Sequence, residues 1–376
     1  MSGHVTSLRL RSLRYVVAAG VVALSLSACS GGSNSSTSSN SNTTTSAGSG
    51  GSTSSGGTGN GVEVKLGYFP NLTHASAIVG IKKGYFKSAL ASDGATLKAL
   101  DFNSGSDTID ALLSGSLDAT YIGPSPAISA YATSQNVSII SGATSGGASL
   151  VVSKNITSAS DLAGKTLATP GQGNTQDVAL KYWLKQKGYQ VSPDGQGDLT
   201  VIPQDNSLTV QQFQQGKIDG AWVPEPYASI LVGLGGKRLV DEASLWPQGK
   251  FVTTQLLVNN DFLKAHPDLV DALLKGQIQA NDYIAKNSDA AKQLTGDYIA
   301  QLTGGKIEPK VLDSAWSKLT FTNDPNANTL LKSASHAVAV GLIQPINGLS
   351  KIYDLDPLNK LLAAKGEPQV SGAGTQ

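Results

Sequence analysis

Gly115-Ser116-Leu117-Asp118-Ala119-Thr120-Tyr121-Ile122, followed by Pro124-Ser125-Pro126, returns later in the chain as Gly216-Lys217-Ile218-Asp219-Gly220-Ala221-Trp222-Val223 and Pro224-Glu225-Pro226. The offset is 216 − 115 = 101 residues. Each copy reads as a turn, a short apolar strand and a proline-marked helix start. Pro126 suits a first helical turn, where its missing N–H costs nothing. The repetition extends upstream. Residues 64–69 are strand-like, Pro70-Asn71 breaks them, and residues 73–83 carry helical apolar spacing through Ala77, Ile78 and Ile81. Their counterparts are the strand Thr166-Leu167-Ala168-Thr169, the turn Pro170-Gly171-Gln172-Gly173 and a helix over 174–187. Two lobes of similar build are therefore expected.

The segments between these copies agree. A strand over 97–102 leads to Ser104-Gly105-Ser106-Asp107, where Ser104 and Asp107 have capping-box spacing for a helix burying Ile109, Leu112 and Leu113. Strands alternating with helices define an α/β chain with parallel crossovers. Extended runs at 148–153 and 251–258 flank the second copy, so the chain crosses twice between lobes, and such crossings act as a hinge. The expected boundaries are 62–153 for the first part of lobe 1, 154–252 for lobe 2, and 253–367 for the return to lobe 1, with a tail over 368–376. After Asn260 the pattern is helical: Leu269, Leu273, Leu274 and Ile278, then 290–302, 309–319, and Leu331, Ala334, Val338 and Leu342. These helices are expected to cover lobe 1.

Composition narrows the function. The 376 residues are 40% hydrophobic and 15% charged, which is too long for a single compact core and too apolar for a disordered chain. The net charge is +1, and without Arg9, Arg11 and Arg14 it becomes 1 − 3 = −2, since no acid precedes Glu63. Lysines do not cluster, so no nucleic-acid partner is expected.

The single cysteine, Cys29, excludes an internal disulfide. Residues 1–28 read as an export signal, with basic residues before an apolar run too short to span a bilayer. Leu26-Ser27-Ala28-Cys29 matches a lipobox, so Cys29 is expected to carry lipid. Residues 30–61 contain only Ser, Gly, Thr, Asn and Ala47, a composition that buries too little to order itself. Such a tether spans roughly 30 Å. The expected location is the outer face of a bacterial cytoplasmic membrane.

Together the lipobox, the tether, Gly67-Tyr68-Phe69-Pro70-Asn71, Phe102-Asn103-Ser104-Gly105, Ile122-Gly123-Pro124-Ser125-Pro126, Asp161-Leu162-Ala163-Gly164-Lys165 and Trp222-Val223-Pro224-Glu225-Pro226 resemble the extracytoplasmic binding proteins of ABC importers for sulfonates, taurine and nitrate. The resemblance runs in order from Val62 to about Leu362. It implies a two-lobed, type II periplasmic-binding-protein-like fold that closes on a small anion and presents it to a membrane permease. The permease works with a cytoplasmic ATPase on a separate chain, and no Gly-x-x-x-x-Gly-Lys loop occurs here. A monomer without cofactor is implied, carrying taurine or an alkanesulfonate, or alternatively nitrate, bicarbonate or a thiamine precursor. The yeast-type pyrimidine synthase of thiamine biosynthesis resembles the same fold, but its cysteine-rich motif is absent. No enzyme is expected, and a sensory or adhesive surface lipoprotein is the other class.

The residues themselves outline a site. Ligands in open α/β sheets sit beyond the carboxyl ends of the strands, at helix N-termini whose free N–H groups hold anions without arginine or lysine. Candidates are Asn71, His74, Gly105, Ser106 and Ser125 from lobe 1, and Gln172, Asn174 and Thr175 from lobe 2. Trp222 and Glu225 are further candidates, Glu225 to pair with a ligand ammonium and Trp222 to cover its carbons. With four histidines, of which only His74 lies near the expected cleft, there is neither metal-ligand spacing nor a catalytic array.

Overall fold

The structure, a computed structural model, describes residues 61–373. The export segment, Cys29 and the tether lie outside them. Among the described residues, eleven strands form two sheets. They are β1 (Glu63–Tyr68), β2 (Thr96–Asp101), β3 (Ala119–Ile122), β4 (Val137–Gly146), β5 (Ala148–Val152), β6 (Thr166–Thr169), β7 (Thr200–Pro203), β8 (Gly220–Pro224), β9 (Lys237–Asp241), β10 (Val252–Asn259) and β11 (Leu319–Phe321). The lobe 1 sheet runs β11-β4-β10-β3-β1-β2 and the lobe 2 sheet β7-β6-β8-β5-β9. Setting the edge strand β11 aside, the two orders are the same. In each, three parallel strands meet one antiparallel strand that has crossed from the other lobe.

The repeated motif explains the likeness at atomic level. Asp118 Oδ accepts the Lys65 N–H at 2.8 Å, and Asp219 Oδ accepts the Thr166 N–H at 2.9 Å, each across 53 residues. The two backbones reciprocate, Asp118 N–H to Lys65 O and Asp219 N–H to Thr166 O. Each aspartate carbonyl then accepts from the crossing strand's neighbourhood, Asn259 N–H in lobe 1 and Ser153 N–H in lobe 2. One acid per lobe thus registers the start of the first strand against the third.

The helices are α1 (Ala75–Lys82), α2 (Tyr85–Ser92), α3 (Gly105–Leu113), α4 (Pro124–Ser134), α5 (Thr175–Gln186), α6 (Asn206–Gln214), α7 (Tyr227–Gly233), α8 (Asn260–Ala265), α9 (Pro267–Lys286), α10 (Ser288–Thr303), α11 (Pro309–Trp316), α12 (Ala327–Ala339) and α13 (Asp356–Ala364). Helix α9 buries Leu269, Val270, Leu273, Leu274 and Ile278 against Tyr68, Ile78, Phe86 and Leu256. Phe86 fills the space left by two glycines: a Cβ on Gly80 would lie 2.2 Å from its ring and one on Gly276 2.3 Å.

One expected boundary moves. Strand β5, placed by sequence at the end of lobe 1, pairs with β8 and β9 in the lobe 2 sheet. The first crossing is therefore Gly146-Gly147, both at positive φ (85° and 79°), a conformation glycine adopts without steric cost. The second crossing, residues 242–251, is held to lobe 2 by buried Glu242, which accepts the indole N–H of Trp222 at 2.7 Å and of Trp246 at 3.4 Å. Burial pushes the Glu242 carboxyl up to about 7. The Gly146 N–H bonds Phe251 O at 3.1 Å, so the two crossings lie side by side.

If the two aspartates do equivalent work, Asp118→Ala and Asp219→Ala each lower unfolding free energy by about 1.5–3 kcal/mol, as loss of a charged hydrogen-bond acceptor does. Urea unfolding followed by circular dichroism measures this. Stability unchanged in either variant contradicts the equivalence.

Candidate ligand-binding site

The carboxyl ends of the parallel strands in both lobes face one cleft. Its inner chamber, about 40 Å³, is lined from lobe 1 by Phe69, Asn71, Thr73, His74, Asn103 and Thr253, and from lobe 2 by Asn174, Thr175, Gln176 and Asn206. The lobes touch here. Leu72 N–H bonds Glu225 O at 3.2 Å across the cleft. A Cβ on Gly105 would lie 2.5 Å from Asn174 Oδ1, and one on Gly123 2.4 Å from Thr175 Oγ1. Lobe 1 thus presents bare backbone where the start of α5 arrives.

That helix start is fixed from behind. Asp177 Oδ accepts the Gly173 N–H at 2.9 Å and the Thr169 hydroxyl at 3.0 Å, and pairs with Lys181 at 2.9 Å, all three side chains fully or almost fully buried. With its acid so neutralised, the first turn of α5 offers the Thr175 and Gln176 N–H groups and the positive end of the helix to the chamber. Asn71, Asn174, Thr175 and Gln176 are buried, yet none of their side chains has a hydrogen-bond partner among the described residues. Buried polar groups ordinarily have partners, so these four are available to a ligand. Asn206 adds a buried Oδ1 without a partner.

His74 is fully buried and its Nδ1 accepts the Phe69 N–H at 3.2 Å, which assigns the ring proton to Nε2. Burial drives its pKa down to about 3, so it acts as a neutral donor. Among the described residues, no charged side chain lines the inner chamber.

Several sequence candidates fall elsewhere. Trp222 is fully buried in the lobe 2 core, edge-on to Trp183, with its N–H on Glu242. Glu225 is also fully buried: it caps α7 by accepting the Ser229 N–H at 2.9 Å and pairs with Arg238 at 3.0 Å. Neither faces the cleft, because the acid is consumed by its own helix start and a cation from β9. Ser106 is exposed and bonds Ser104, and exposed Gln172 donates to Pro193 O. Ser125 is buried with an unpartnered Oγ but does not line the chamber, and Gly105 serves by close approach. The start of α4 is poorer in donors than expected, since Pro124 and Pro126 carry no N–H and Ala127 N–H bonds Gly123 O at 3.3 Å. Thr73, Asn103, Gln176, Asn206 and Thr253 were missed. Gln176 was recoverable, as the next residue of a helix start already identified.

The chain belongs to the NMT1-like family, whose pattern matches residues 57–299. It is 31% identical over 203 residues to the taurine-binding periplasmic protein of Escherichia coli K12, covering 52% of this chain and 60% of that protein's length. It is 27% identical over 240 residues to the putative aliphatic sulfonates-binding protein of Bacillus subtilis, covering 62% of this chain and 69% of the relative. Among solved structures, the alkanesulfonate-binding protein SsuA of Xanthomonas axonopodis pv. citri superposes with TM-score 0.64 at 15% identity over 79% of this chain and 99% of that one. The nitrate-binding protein NrtA of Synechocystis gives 0.65 at 17% identity over 81% and 89%. The fold is that of periplasmic binding proteins, and by their names these relatives bind taurine, sulfonates and nitrate.

Gly123→Val places its side chain against Thr175 while leaving an allowed backbone (φ −73°). Overpacking of this kind costs about 1–3 kcal/mol, so ligand affinity falls about tenfold to a hundredfold while the ligand-free melting temperature holds. Calorimetry and thermal melts read both; unchanged affinity contradicts closure at this point.

Proposed function

We propose that this protein is the solute-binding component of an ABC importer, capturing a small organic anion, a sulfonate, between its lobes and delivering it to a permease. A chamber lined from both lobes by unpartnered amides and hydroxyls, with no charged side chain, carries this reading. Such donors, with the start of α5, bind an anion by hydrogen bonds of about 1.5–3 kcal/mol each, so three or four reach micromolar affinity. Contacts from both lobes favour the closed over the open form. The sulfonate-binding relatives support the headgroup. A lipid on Cys29 would hold the monomeric body at the membrane surface without a spanning helix.

Nitrate is the alternative, favoured by the chamber's small volume of about 40 Å³. A thermal-shift and calorimetric panel of taurine, alkanesulfonates, nitrate, bicarbonate and thiamine precursors separates the two. Sulfonates are expected to bind most tightly, and a response confined to nitrate or bicarbonate overturns the sulfonate reading. Because His74 stays neutral down to about 3, its contact makes affinity flat between about pH 5 and pH 8. A site using imidazolium would tighten as pH falls through that range.

A further inference from the structure

A second cavity, of about 270 Å³, is walled by three elements: α5 of lobe 2, the second crossing, and α12 of lobe 1. It shares no residue with the inner chamber, although α5 serves both, its first turn at the cleft and its later turns here. The walls are aromatic. Tyr182 stacks on His336 with ring centroids 3.6 Å apart and planes 10° from parallel, so one ring pair joins the two lobes. The Trp246 ring lies 5.6 Å from His336, and Trp183, on α5 one residue after Tyr182, also lines the space. Leu245 in the same lining is 43% exposed, an apolar side chain left uncovered beside these rings.

The charge at this cavity is positive. Lys332 Nζ stands 5.5 Å from the centre of the Trp246 ring and Lys187 Nζ 5.7 Å from that of Trp183. Neither ammonium has an ion pair or a hydrogen bond among the described residues. The one acid in the lining, Glu242, is buried, and its two oxygens are taken by the indole N–H groups of Trp222 and Trp246, at 2.7 and 3.4 Å. Burial holds its carboxyl up at about 7, so it opposes an anion weakly. His336, lowered to about 4 by burial and by the Lys332 charge, is a neutral ring at pH 7. An apolar pocket with a few converging polar groups and displaced titrations has the make-up of a ligand site. Flat aromatic walls select a planar ring, and two unpaired ammoniums select a negative charge on it. We infer that the junction of α5, α12 and the second crossing is a second ligand site, separate from the cleft, for a planar aromatic carboxylate. The ring lies among Trp183, Trp246 and the Tyr182–His336 pair, and its carboxylate is held by Lys187 and Lys332. The site stands on its own geometry, whatever solute the cleft takes.

The test uses the full chain with 2-naphthoate and with 2-naphthamide, a neutral analogue of the same shape, read by calorimetry and by tryptophan emission. Naphthoate is expected to bind, to change the emission of Trp183 and Trp246, and to exceed the amide in affinity by about tenfold or more, as charge-assisted contacts do. In the Lys187→Gln/Lys332→Gln double variant that preference collapses while the melting temperature holds, since both side chains are exposed. Excess taurine leaves the naphthoate isotherm in place. No binding at millimolar naphthoate, equal affinity for acid and amide, a preference that survives in the double variant, or displacement of naphthoate by taurine each overturns the inference.

Discussion

A helix end in lobe 2 meets lobe 1 where lobe 1 has no side chains, and the rest of the site is arranged around that contact. Gly105 and Gly123 let Asn174 and Thr175 come within a distance that any Cβ would forbid. The buried Asp177–Lys181 pair keeps the first turn of α5 in place without leaving a net charge facing the chamber. Breaking such a pair by removing one partner leaves an uncompensated buried charge, so the helix start is held stiffly. What faces the ligand is then a set of neutral donors and a helix dipole.

In the proposed binding cycle the two crossings act as the hinge that makes this contact reversible. Gly146-Gly147 allows the first strand to change sheets within two residues, and the second crossing is anchored to lobe 2 through Glu242 and two indoles. A ligand that bonds groups from both lobes shifts that equilibrium by the difference between its closed-state and open-state contacts.

The duplicated architecture was legible because Asp118 and Asp219 do the same structural work at the same offset, and a repeated constraint leaves a repeated string. The site was legible only in part. Helix starts announce themselves by turns and caps, which located Asn71, His74, Asn174 and Thr175. Sequence does not reveal how a first turn is rotated, so Ser106 and Gln172 were placed inward although they face solvent. Glu225 looked like a ligand for an ammonium because its partner, Arg238, lies on β9, and only the pairing of β5 with both β8 and β9 brings acid and base together.

The central claim, that ligand closes the lobes on each other, is tested most directly by a distance between them. Spin labels on exposed Lys87 in lobe 1 and exposed Lys217 in lobe 2, read by pulsed dipolar spectroscopy, report it. Saturating ligand is expected to collapse a broad distribution to one narrow, shorter distance. A distribution unchanged by a ligand that calorimetry shows to bind would contradict the account.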